Sequence, residues 1–70
     1  MTKSELKSKL IAAGLNRYIV RDEEWQIFDD AECFHVSDYD LDQMDRRRVK
    51  DLVGECKTDV TDKGVLFIVG

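Results

Sequence analysis

The run Val65-Leu66-Phe67-Ile68-Val69 constrains the fold more than any other stretch of this sequence. It is far too short to cross a bilayer and has the length of a strand rather than of a helix. A strand of this kind is apolar on both faces, so it needs cover on both sides. Left at a sheet edge it would invite pairing with another chain, and a homodimer would be one cure. The chain has 70 residues, of which 43% are hydrophobic. That is enough for one small core and not for two, so residues 1–70 are expected to form a single domain in which helices cover a small sheet.

Two stretches read as those helices. Thr2-Lys3-Ser4-Glu5 is a capping box: the Thr2 hydroxyl takes an orphan backbone N–H and Glu5 reaches back. Leu6, Leu10 and Ala13 then fall on one helical stripe, which Ile11 widens. Gly14 is a natural stop, and the spacing predicts a helix over 3–13. Ser37-Asp38-Tyr39-Asp40 is the aspartate version of the same box, followed by an apolar face of Leu41, Met44, Leu52, Val53 and Cys56, with Val49 on its margin. A second helix over 38–56 is predicted, with Gly54 weakening its last turn. Aspartates at its start and Arg46, Arg47, Arg48 and Lys50 further on suit the helix dipole.

Between the helices, residues 17–20, 25–28 and 32–36 are rich in β-formers and are divided by polar tips, which reads as a three-stranded meander. Residues 57–63 read as a polar connection into the strand 65–69. The predicted fold is α+β, in the order α-β-β-β-α-β, an antiparallel meander with two helices packed on the sheet.

The charge is strongly segregated. Residues 22–45 hold ten acidic side chains and no Lys or Arg, a charge of -10. The flanking segments carry +4 and +2, so the net charge of -4 conceals the asymmetry. In the meander topology, Asp22, Glu23, Glu24, Asp38, Asp40 and Asp42 share one end of the domain, with Asp29 and Asp30 at the other. Asp38, Asp42 and Asp45 stack at i, i+4 and i+7 on the second helix. Turn chemistry and capping account for several of these acids. They do not account for the absence of bases across the segment. The seven residues Asp22, Glu23, Glu24, Asp38, Asp40, Asp42 and Asp45 are therefore the candidate partner-binding surface. Helical pairs Asp42–Arg46 and Arg47–Asp51 are expected to occupy the basic run, and the pI near 4.8 argues against a general nucleic-acid binder.

Other chemistries find no support in the spacing. Asp38-x-Asp40-x-Asp42 opens like a calcium loop, but Gln43 and Val49 stand where that loop needs Gly and Glu. Cys33-x-His35 has no second ligand pair for zinc. The same pair lacks an orienting group and an oxyanion hole for nucleophilic catalysis. No phosphate-binding glycine pattern occurs. The expectation is a protein that is not an enzyme, with no catalytic residues, no metal and no cofactor. Cys33 and Cys56 read as buried free thiols of a cytoplasmic protein, His35 as a half-buried strand residue and Trp25 as core. Tyr18 reads as either core or an exposed anchor. The N-terminus shows no signal-peptide apolar region.

The stretches Asn16-Arg17-Tyr18-Ile19-Val20, Trp25-Gln26-Ile27-Phe28-Asp29-Asp30 and Ser37-Asp38-Tyr39-Asp40-Leu41-Asp42, in a small acidic α+β frame, resemble the small inhibitors encoded by bacteriophages, anti-CRISPR proteins among them. That class shares no sequence signature, so no functional residue carries over. The resemblance implies a phage protein in the host bacterial cytoplasm. Such a protein binds a basic surface, such as a nuclease or surveillance complex, and inhibits it, acting as a DNA mimic. It binds neither nucleic acid nor membrane. The competing reading is a small regulatory or adaptor module for protein–protein interaction, in the form of a homodimer.

Overall fold

The computed structural model describes residues 1–69. Four helices, α1 (Lys3–Ala12), α2 (Asp22–Asp30), α3 (Asp38–Asp42) and α4 (Arg46–Glu55), accompany three strands, β1 (Cys33–Ser37), β2 (Lys57–Thr61) and β3 (Gly64–Ile68). The strands form one antiparallel sheet in the order β1-β3-β2. The domain is α+β with helices packed on a small antiparallel sheet, as the sequence predicts. The elements that build it differ in four places.

First, residues 22–30 are a helix rather than a hairpin. Trp25 and Phe28 stand three residues apart and both are buried, so one helical face meets the core. Asp22, Glu23 and Glu24 fill the first turn, where carboxylates favour a helix start. Ile27, counted as a strand residue, is left 68% exposed. Second, residues 17–20 make a turn. The Asn16 carbonyl accepts from Ile19 N and Val20 N, and its side-chain oxygen accepts from Tyr18 N at 2.9 Å. Third, the predicted second helix is two helices. Asp45 breaks it by capping α4 through Arg47 N, and Asp45 N donates to the Ala13 carbonyl at 2.8 Å. Fourth, Lys57–Thr61 is the edge strand β2 instead of a connection.

The run at 65–69 thus supplies the central strand, with residues 65–68 inside it. Its hydrogen-bonding edges are occupied by β1 and β2, but only one face is covered. Phe34, Val36 and Phe67 are buried against the helices. On the opposite face, Leu66 and Ile68 stay half-exposed between Cys33 and His35 of β1 and Lys57 and Asp59 of β2. Period-2 alternation explains why Cys33 is exposed and not buried: Phe34 points inward, so its neighbour points out. His35 is likewise exposed, with Nε2 3.0 Å from the Thr61 hydroxyl oxygen.

The core joins Leu6, Leu10 and Ala13 of the first stripe to Leu15, Val20, Trp25, Phe28, Phe34, Val36, Met44, Leu52 and Phe67. Ile11 does not extend that stripe and is 47% exposed. Gly14 has φ +112, a conformation that favours glycine, and it lets α1 stop where the chain turns toward Leu15.

Candidate interaction surface

Contacts along α1 set the directions of the other helices. Lys7, in the middle of α1, places its ammonium 5.1 Å from the ring centroid of Trp25 near the start of α2. Lys3, at the start of α1, donates to the Asp29 carbonyl near the end of α2 at 2.9 Å. So α2 runs antiparallel to α1. On the α4 side, the Ala13 carbonyl meets Asp45 N, Arg48 donates to the Ala12 carbonyl at 3.1 Å, and Lys9 pairs with Glu55. So α4 is also antiparallel to α1. Strand β1 leaves the far end of α2 and leads through α3 back to Asp45. The starts of α2, α3 and α4 therefore gather at the end of the molecule where α1 finishes.

That arrangement brings all seven candidate residues to one end, by a different route from the predicted hairpins. Asp22, Glu23 and Glu24 come with α2, Asp38, Asp40 and Asp42 with α3, and Asp45 with the cap of α4. Asp29, Asp30 and Glu32 lie toward the opposite end. The proposed i, i+4, i+7 stack of Asp38, Asp42 and Asp45 does not form, because Asp45 lies beyond the end of α3.

Three of the seven have structural duties. Asp22 accepts two hydrogen bonds from one guanidinium nitrogen of Arg17, at 3.1 and 3.3 Å. Glu24 accepts from Arg21 N at 3.1 Å, closing the start of α2. Asp45 caps α4. The carboxylates of Glu23, Asp38, Asp40 and Asp42 have neither an ion pair nor a side-chain hydrogen bond among the described residues. The start of α3 is held instead by the Ser37 hydroxyl, which accepts from Asp40 N, and by Asp38 N donating to the Lys63 carbonyl at 2.8 Å.

Bases do stand at this end: Arg17, Arg21, Arg46, Arg47 and Lys63 flank the acids. Of these, only Arg17 pairs with a carboxylate among the described residues, and the expected pairs Asp42–Arg46 and Arg47–Asp51 are not made. The helix break at residues 43–45 removes the i, i+4 geometry that the first pair needs.

Two tyrosines complete the surface. Tyr18, beside the Arg17–Asp22 pair, is 99% exposed, and Tyr39, between Asp38 and Asp40, is 74% exposed. The sequence reads Tyr18 as either core or an exposed anchor, and its capping-box motif assigns Tyr39 no role. Its signal was its placement opposite the apolar face of the predicted helix.

A separate concavity is an open groove between α1 and α4, lined by Lys9, Ala12, Arg48, Asp51, Leu52 and Glu55. Its polar groups are largely engaged with one another or with the backbone, through the Lys9–Glu55 pair and the Arg48–Ala12 bond. The Glu55 carboxylate beside Lys9 raises the lysine pKa above its ordinary value. Among the described residues, no group of three His, Cys, Asp or Glu side chains is arranged to hold a metal ion. No described helix is long and apolar enough to cross a membrane. Comparison with known protein families, curated proteins and solved structures finds no match.

Proposed function

We propose that this chain is a non-catalytic binding protein of the bacterial cytoplasm that docks its acidic end on a basic protein surface built to hold nucleic acid, and so inhibits it. What carries this reading is the set of carboxylates on Glu23, Asp38, Asp40 and Asp42, exposed or half-exposed and unpaired at one end. Like charges held together repel, which works against the compact state. Docking on cations relieves that repulsion. Tyr18 and Tyr39 add the aromatic contact area that distinguishes a protein interface from a merely solvated turn.

Complementary charge mainly speeds encounter, so association should be fast and salt-sensitive. A pull-down from bacterial lysate compares wild type with a variant carrying D38N, D40N and D42N. Wild type should retain nucleic-acid-binding proteins, the variant should lose them, and on-rates for the recovered partner should fall about tenfold. The recovered partner should also lose its nucleic acid as this protein is added. Equal retention by the triple variant rejects the acidic-end mechanism.

A further inference from the structure

Backbone hydrogen bonds show which edge of the sheet is open, and to what. Asp38 N donates to the Lys63 carbonyl at 2.8 Å, and Val69 N donates to the Glu32 carbonyl at 2.7 Å. These bonds flank the facing pairs Ser37–Gly64 and Cys33–Ile68. In an antiparallel ladder, such flanking bonds mark pairs that do not bond each other directly. Gly64, Leu66 and Ile68 therefore turn their N–H and C=O groups toward β2, where they meet Thr61, Asp59 and Lys57. Alternation then leaves the N–H and C=O groups of Thr58 and Val60 facing outward, with no described element beyond them.

The side chains along this edge are self-complementary. Lys57 and Asp59 lie on the same face of the strand, one on each side of Thr58. We propose that a second copy of this chain adds antiparallel to β2, about a two-fold axis through Thr58. Thr58 then faces Thr58 of the second copy in a directly hydrogen-bonded pair, which its outward groups require. Lys57 of each copy faces Asp59 of the other, so two cross-strand ion pairs form. Val60, 80% exposed in one copy, gains cover near Cys56 of the other. Moving the register two residues along, with the axis at Asp59, sets two aspartates against each other, which is unfavourable.

The outer edge of β1 offers Cys33, His35 and Ser37, with no such charge match. Pairing β2 with β1 of the next copy would not close, and would build an open chain of molecules. The two-fold at Thr58 closes, giving a continuous six-stranded sheet that leaves the acidic end of each copy free for the partner proposed above.

The test is the solution mass of the full chain by sedimentation equilibrium, from low to high micromolar concentration. Wild type should rise from 8.1 kDa toward twice that value. D59K should raise the dissociation constant about tenfold or more, because it places like charges opposite each other. K57D combined with D59K should restore association, since it exchanges the partners of both pairs. Circular dichroism confirms that each variant is folded. A wild type that stays at 8.1 kDa overturns the proposal, as does a D59K variant that associates as tightly as wild type.

Discussion

Trp25 lies flat on Phe34, with ring centroids 5.1 Å apart and planes 5° from parallel. Phe28 meets the same Phe34 ring edge-on at 5.0 Å, so a single strand residue ties both buried positions of α2 to the sheet. Phe34→Ala should remove about 3–5 kcal/mol. That is comparable to the whole stability of many domains of this size. In urea denaturation followed by circular dichroism, F34A should be largely unfolded without denaturant. A variant losing less than about 1 kcal/mol would show that α2 does not depend on this stack.

Two glycines should respond in opposite directions. A Cβ at Gly64 would come 2.0 Å from the Val36 carbonyl oxygen and 2.8 Å from Ser37 Cα, so G64A must push β3 away from β1. Gly54 sits in α4 with nothing within 4 Å of its would-be Cβ. G54A should gain about 0.5–1 kcal/mol from helix propensity and lower unfolded-chain entropy. Thermal melts should show G54A rising by about 4–8 °C for each kcal/mol gained, and G64A falling by more.

The two thiols should differ in reactivity. Cys33 is exposed on the uncovered sheet face. Cys56 is half-buried, and burial pushes its thiol pKa up, leaving less thiolate near neutral pH. With iodoacetamide at neutral pH, mass spectrometry should find Cys33 modified first, by about tenfold in rate. Raising the pH should speed Cys56 as its thiolate fraction grows. Equal rates at neutral pH would contradict the packing of Cys56 beneath β3.

What could be read from the chain follows from which signals are local. Thr2 and Ser37 cap helices at the predicted positions, because a hydroxyl and an N–H three residues on are all that a cap needs. The Leu6–Leu10–Ala13 stripe is buried for the same reason: one helical face carries the whole signal. Residues 25–28 misled because Trp, Ile and Phe favour strands intrinsically, whereas the i, i+3 burial of Trp25 and Phe28 depends on Phe34 arriving from another element. Residues 57–61 look polar because β2 is an edge whose pairing comes only from β3. The acidic end was predicted on an erroneous hairpin and formed anyway. In both topologies, residues 22–24 and 38–42 sit two traverses of the domain apart, one out and one back.

The central strand is also the last described element to be synthesised. Strands β1 and β2 each pair with β3 and not with each other, the His35–Thr61 side-chain contact crossing over it, so a ribosome-bound chain that has not yet released Phe67 has no sheet, and Phe34 and Val36 lack the cover that β3 supplies. Folding of this domain must then wait until β3 has emerged. During that interval, the nascent chain shows chaperones the Phe34 and Val36 side chains, which the finished molecule buries.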